Sequence, residues 1–142
     1  MYVMCFSESV TGSLFTHTKR LYELFKTQHI NDRMTEDQCD SEILTRNILD
    51  KNKECKEKNT FILSDSETVK FICNRPDSDR CRSESQDSDR CRSESQFEII
   101  DCELMSKTEK TPPCRYNGKH QFKKRIEVSC KGGYPVHYYR AF

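Results

Sequence analysis

The stretch CKEKNTFI at residues 55–62 marks the point where the 142-residue chain changes from helical to strand patterning. From Thr60 to Leu63 the residues are mostly β-branched, aromatic or aliphatic, which favours a strand. Four later segments are similar, and they are 69–73, 97–104, 122–130 and 134–139. Gly132-Gly133 directly joins the last two as a hairpin, and Asn117-Gly118 is a second turn signal. The chain after Cys55 is therefore predicted to form an antiparallel sheet.

Residues 19–30, upstream of this sheet, have the pattern of an amphipathic helix. Leu21, Leu24 and Phe25 recur at spacings of three and four residues, which places them on one helical face. His29 follows Phe25 by four residues. We therefore expect His29 at the edge of the buried stripe rather than on the solvated side.

A second helix is predicted to end near residue 49. Thr35 with Gln38 resembles a capping box, and Ile43, Leu44 and Ile48 continue the helical period. Helices followed by an antiparallel sheet make an α+β domain.

Nine cysteines in so short a chain indicate a disulfide framework formed in an oxidising compartment. Disulfides would also supplement a core limited by an apolar fraction of only 34%. Zinc is the rival interpretation, but the chain has no C-x2-C pair, and no histidine sits at a ligand-like offset from a cysteine. We therefore expect neither a metal nor a cofactor.

Residues 1–18 resemble a poor or truncated leader, with Cys5 as the odd cysteine belonging to it. Residues 19–142 are then the folded domain. No stretch reaches the roughly 20 apolar residues of a membrane span. A secreted, extracellular protein is expected, and we expect a monomer.

A tandem repeat interrupts the domain, because residues 77–86, DSDRCRSESQ, recur letter for letter at 87–96. The repeat has no apolar residue besides cysteine, so we expect it not to contribute to a core. The repeat is predicted to be a mobile surface loop. Whether Cys81 and Cys91 pair is left open.

Charge and histidines supply the first functional signal. The formal net charge is +1, but residues 107–131 hold eight Lys or Arg against two Glu, a local excess that could attract a polyanion. The alternative interpretation is a solvated charged face. Of four histidines, His29 and His137 have the more informative neighbours, whereas His17 and His120 do not.

Five motifs carry a family resemblance, and they are FKTQHI (25–30), CKEKNTFI (55–62), VKFIC (69–73), FEIIDC (97–102) and YPVHY (134–138). Together they resemble motifs of the pancreatic ribonuclease family, and of its non-mammalian vertebrate members most of all. The CKxxNTF pattern is the most specific. The resemblance implies a ribonuclease A-like fold with short N-terminal helices packed on a bent antiparallel sheet. It also implies RNA as the partner, and it leaves open whether there is a cell-surface or inhibitor partner.

The same resemblance implies a catalytic set of His29, Lys56 and His137. Cleavage of RNA by its own 2′-hydroxyl needs a base on that hydroxyl and an acid on the departing 5′-oxygen. His29 would be the base and His137 the acid. Lys56 would stabilise the negative charge of the transition state.

Four further residues are implied to bind substrate, and they are Gln28, Asn59, Thr60 and Tyr138. The hydroxyl and backbone N–H of Thr60 would read a pyrimidine, and Gln28 would assist Lys56 at the phosphate. Tyr139 departs from the family pattern, because many members have an acidic residue there that orients the last-strand histidine. Orientation of His137 is thus an open question.

The family's common disulfides, transferred by motif, would join Cys39 to Cys102, Cys55 to Cys114 and Cys73 to Cys130. Such long closed loops can each contribute about 4 kcal/mol to stability. From the residues alone, six cysteines allow about 15 connectivities.

The sequence is compatible with three functions. The leading hypothesis is a secreted, pyrimidine-preferring endoribonuclease. The alternatives are an angiogenin-like or host-defence binding protein on the same fold with weak or no catalysis, and a decaying gene copy.

Overall fold

The computed structural model describes residues 2–74 and 79–142, with side chains from residue 16 onward. The helices are α1 (Tyr2–His29), α2 (Cys39–Thr45) and α3 (Ser66–Lys70), with 3-10 turns at Glu36–Gln38 and Phe71–Asn74. The strands are β1 (Lys58–Ile62), β2 (Cys81–Ser83), β3 (Asp89–Arg92), β4 (Phe97–Leu104), β5 (Tyr116–Lys124), β6 (Ile126–Lys131) and β7 (Tyr134–Ala141).

The strands form two antiparallel sheets, which confirms the predicted α+β class. One sheet has the order β1-β4-β5 and the other has the order β2-β3-β6-β7. Gly132 and Gly133 connect β6 to β7 as expected, and both have positive φ, 54° and 83°. Few other residues adopt such a backbone without strain.

The core lies on both faces of the three-stranded sheet because successive strand residues point in opposite directions. On β1, Phe61 packs into one cluster and Ile62 into the other. Ile100 and Ile99 divide in the same way on β4. All four side chains are fully buried.

Helix α1 buries a different stripe from the predicted one. Tyr22, Phe25 and His29 are buried, whereas Leu24 is 52% exposed. The spacing of these buried residues is still that of one helical face. His29 therefore lies within the stripe rather than at its edge.

The second helix is shorter than predicted. It begins as a 3-10 turn, where the Gln38 side chain accepts a hydrogen bond from the Thr35 N–H at 3.0 Å. It ends at Thr45, and Asn47 has a left-handed φ of 56°. Ile48 is buried as expected, but Leu44 is 60% exposed.

Four disulfides cross-link the described part of the chain. Three are the pairs that the resemblance implied, Cys39–Cys102, Cys55–Cys114 and Cys73–Cys130. The fourth joins Cys81 to Cys91, a question that the sequence had left open. The expectation for Cys5 lies outside the described side chains.

The strand predicted at residues 69–73 is wrong, because this segment is helical. The Asp65 carboxylate accepts a hydrogen bond from the Thr68 N–H at 2.8 Å and so caps α3. Val69 and Cys73, four residues apart, are both buried on the inner side. The cap and this spacing outweigh the β propensity of the segment.

The prediction of a turn at Asn117-Gly118 is also wrong, since both residues lie inside β5. A Cβ at Gly118 would collide with the backbone carbonyl of Glu36, so the glycine permits a close approach rather than a turn. The predicted strand at 122–130 is divided into β5 and β6, and Lys123 near the break has a φ of 53°.

The repeat is not an isolated surface loop, which corrects the prediction for residues 77–96. Its two copies form the antiparallel strands β2 and β3, and β3 pairs with β6. Cys91 is fully buried in the core. Backbone pairing and one cysteine thus integrate a segment that has almost no apolar side chains.

Helix α1 includes most of the leader expected at residues 1–18, and α1 continues without a break into the domain. In the parts of the chain described here, no helix has the length and apolar character that crossing a membrane requires.

Candidate active site

His29 is the last residue of α1 and is only 7% exposed. Its Nδ1 lies 2.8 Å from the backbone carbonyl oxygen of Thr60. A carbonyl can only accept, so Nδ1 carries the proton and donates it. This contact leaves Nε2 as the ring nitrogen that can accept a proton.

The surroundings of His29 strongly favour its neutral form. Burial lowers the pKa of His29 to about 3, with smaller contributions from the positive charges of Lys56 and His137. The hydrogen bond to Thr60 opposes this shift. The ring also packs between Phe25 and Tyr138, with centroid distances of 5.2 and 5.3 Å.

Lys56 lies just before β1 and is held by a chain of polar contacts. Its Nζ donates to Asn59 Oδ1 at 2.8 Å, and Asn59 Nδ2 donates to the backbone oxygen of Gln28 at 2.8 Å. Tyr116 also donates its hydroxyl to the Lys56 backbone oxygen at 2.6 Å. Burial lowers the pKa of Lys56. These contacts connect the ammonium group to the end of α1 that bears His29.

His137 lies on β7 opposite Ser129 of β6 and is more exposed than His29. Partial burial lowers its pKa, and the positive charges of Lys56 and Arg90 act in the same direction. The negative charge of Glu84 opposes them. Tyr139 presents an edge-on ring, with its centroid 4.7 Å from that of His137.

One cleft of about 440 Å³ brings together all seven side chains that the resemblance implied. They are Gln28, His29, Lys56, Asn59, Thr60, His137 and Tyr138. The residues are far apart in sequence, and α1, β1 with the segment just before it, and β7 bring them to a common opening.

The lining of this cleft also includes two residues that sequence reasoning missed, Asp101 and Gln121. Asp101 on β4 pairs with Thr60 across the sheet, and the Thr60 hydroxyl donates to its Oδ1 at 2.5 Å. The Gln121 amide donates to the other carboxylate oxygen. The FEIIDC motif contained the signal, because a carboxylate at a buried strand position needs such partners.

Comparison with known proteins identifies the family. The pancreatic ribonuclease family model matches residues 20–139. The chain belongs to the pancreatic ribonuclease family. This ribonuclease family member is 35% identical over 138 residues to Ribonuclease-like 3 of Danio rerio, covering 96% of this chain and 88% of the relative.

Two further comparisons extend the family likeness. Over 124 residues the chain is 28% identical to angiogenin of Equus caballus, covering 85% of this chain and 78% of the relative. The crystal structure of green turtle egg white ribonuclease superposes with a TM-score of 0.68 at 28% identity, covering 86% of this chain and 98% of that one.

Elsewhere in this member of the pancreatic ribonuclease family, the two other histidines lie outside the cleft. His120 on β5 contacts Glu98 at 3.0 Å and stacks on Phe122. His17 is exposed on α1. Within the described residues, no three His, Cys, Asp or Glu side chains are grouped so that they could hold a metal ion.

Proposed function

We propose that this chain is a secreted, pyrimidine-preferring endoribonuclease that cleaves single-stranded RNA by attack of the RNA's own 2′-hydroxyl. One observation carries the proposal. Two imidazoles and an ammonium group line the same cleft, and the Thr60 carbonyl fixes His29 in the tautomer whose Nε2 accepts a proton. Such a pair of imidazoles can supply both proton transfers without a metal.

In the first step, the 2′-oxygen forms a bond to phosphorus while its proton passes to His29 Nε2. The bond from phosphorus to the 5′-oxygen breaks, and that oxygen takes a proton from His137. Lys56 and Gln28 stabilise the charge on the nonbridging oxygens. The products are a 2′,3′-cyclic phosphate and a free 5′-hydroxyl. Water then hydrolyses the cyclic ester slowly, with the two histidine roles reversed.

Base preference is assigned to Thr60, with Tyr138 and Asn59 lining the same cleft. The Thr60 hydroxyl can exchange donor and acceptor roles, which suits either pyrimidine. Burial raises the pKa of Tyr138 to about 12, so its hydroxyl stays protonated beside the base. Four disulfides support secretion, because they persist in oxidising compartments.

A second candidate is an angiogenin-like binding protein with weak catalysis. The depressed pKa of His29 favours it, because a base that binds protons weakly transfers them slowly. The likeness to an angiogenin points the same way. The catalytic rate separates the two candidates.

The test compares the folded, disulfide-bonded protein with two histidine variants on the dinucleotide UpA and on poly(C). His137→Ala is expected to lower kcat/KM by about 10²–10⁴-fold, since the leaving oxygen loses its acid. His120→Ala, outside the cleft, is the matched control and should retain activity. A wild-type protein that forms no cyclic phosphate between about pH 5 and 8 would contradict the proposal.

The pH profile tests the roles of the two histidines. Activity needs His29 neutral, above its pKa, and His137 protonated, below its pKa. Both pKa values are lowered, so the optimum should lie below the ordinary histidine value of 6.5. An optimum at or above neutral pH would contradict this assignment of base and acid roles to His29 and His137.

A further inference from the structure

A carboxylate from the repeat reaches the side chains that surround His137. Glu84 follows β2, and its side chain accepts hydrogen bonds from the Ser129 hydroxyl and the Tyr139 hydroxyl. Arg90 Nη2 donates to the same carboxylate at 2.9 Å. The Glu84 side chain is only 21% exposed, so these contacts enclose most of it.

Strand register explains why these groups meet. Arg90 on β3 pairs with Ser129 on β6, and Ser129 pairs with His137 on β7. The three residues form a row across the sheet, and cross-strand partners point to the same face. Tyr139 lies two residues beyond His137, where the register of β6 and β7 is irregular, and its ring contacts the His137 ring.

The Tyr139 ring is held on three sides. Glu84 accepts a hydrogen bond from its hydroxyl, and the Arg90 guanidinium stacks over the ring 3.7 Å from its centroid. The ring in turn meets the His137 imidazole edge-on, with an interplanar angle of 71°. A tyrosine fixed in this way limits the rotation of the neighbouring imidazole.

We propose that Glu84 is a positioning residue for His137, acting through Tyr139 and Ser129. The catalytic part of this inference rests on the proposed function. Glu84, which follows β2, thus supplies through an intermediary ring the negative charge that position 139 itself lacks.

The negative charge of Glu84 also favours the acid role of His137. The hydrogen bonds from Ser129 and Tyr139 lower the pKa of Glu84 to about 2, so it is ionised throughout the working pH range. Its negative charge favours protonated His137, the form that an acid requires. The opposing positive groups are Lys56 before β1 and Arg90 on β3, and His29 faces His137 from α1.

The repeat supplies an internal control at Glu94, which has the same local sequence as Glu84. Glu94 instead contacts Arg80 at 3.5 Å, and both side chains are substantially exposed. It lines a different cavity of about 390 Å³ that shares no residue with the catalytic cleft.

The experiment follows the His137 ring signal by NMR during a pH titration and measures kcat and KM for UpA across the same range. Glu84→Gln should lower the pKa of His137 by about half a unit, because a nearby negative charge is removed. In activity this appears as about a threefold loss of kcat above that pKa, with KM little changed. Tyr139→Phe removes the hydroxyl that holds the Glu84 carboxylate beside the His137 ring. It should therefore shift the His137 titration in the same direction.

Glu94→Gln should leave both the titration and the kinetics unchanged. If Glu84→Gln also leaves the His137 titration unchanged, or if Glu94→Gln shifts it equally, the positioning role is wrong. The NMR titration needs no activity. A wild-type protein without cyclic phosphate formation would therefore overturn the proposed function alone, while the titration would still decide the role of Glu84.

Discussion

The two copies of the repeat have the same ten residues and opposite surroundings. Cys91 in the second copy is fully buried, whereas its counterpart Cys81 is partly exposed. Ser93 is buried and Ser83 is exposed. The second copy's strand β3 lies between β2 and β6, while β2 forms the sheet edge. Burial here is decided by neighbouring strands rather than by local sequence.

The difference extends to function, because the edge copy turns its glutamate toward His137 and the inner copy does not. Deleting either copy leaves the same amino-acid sequence, so a deletion cannot distinguish them. Matched single substitutions can, and three pairs of them test the comparison.

The largest difference is expected at the cysteines. Removing either one breaks a disulfide between residues ten apart, which should cost about 2–3 kcal/mol of unfolding free energy. Cys91→Ala should cost about 1 kcal/mol more than Cys81→Ala, because it also leaves a void in the core. In Cys81→Ala the remaining Cys91 thiol can pack as a small apolar group.

Urea unfolding of the two cysteine variants and the wild type measures this difference. Equal losses in both would show that Cys91 contributes only its disulfide bond. A larger loss of unfolding free energy in Cys81→Ala would contradict the inference that Cys91 contributes more to the core than Cys81.

Ser93 and Ser83 are expected to differ by a smaller amount. The buried Ser93 hydroxyl accepts from the Ile126 N–H at 3.0 Å and donates to the Ser95 carbonyl at 2.8 Å. Ser93→Ala leaves that N–H without this acceptor and should cost about 1–3 kcal/mol. Ser83→Ala, on the exposed edge strand, should stay within about 0.5 kcal/mol.

The same urea titration compares the two serine variants. A neutral Ser93→Ala would mean that water or a shift of the backbone satisfies the Ile126 N–H equally well.

Sequence patterns worked where one local signal dominated. The β-branched and aromatic residues of 97–104 predicted β4 with its observed bounds, and the helical period placed His29 on the buried side of α1. The resemblance led to the residues that line the cleft, because each one sits inside a short motif. Such signals need no knowledge of distant partners.

The failures at Gly118 and at the repeat have a long-range cause, whereas the failure at residues 69–73 has a local one. Residues 69–73 have strand propensity, but the cap at the nearby Asp65 makes the segment helical. Asn117-Gly118 has the sequence of a turn, but the glycine is needed because the backbone of the distant Glu36 packs against it. The repeat has no apolar pattern, so its pairing with β6 and the reach of Glu84 to Tyr139 could not be predicted from local sequence.

The smallest difference concerns acid stability at the two glutamates. The folded-state pKa of Glu84 is about 2, below the ordinary value of 4.5, so its contribution to stability is complete above pH 4.5 and is lost as the pH falls toward 2. Glu84→Gln should therefore be less stable than the wild type near neutral pH, and the gap should close in acid. Glu94→Gln removes only an exposed ion pair, worth about 0–1 kcal/mol. Urea midpoints measured across this pH range compare the two variants. A gap for Glu84→Gln that stays constant with pH would mean that its hydrogen bonds do not depend on the carboxylate charge, and the two copies would then differ in packing but not in electrostatics.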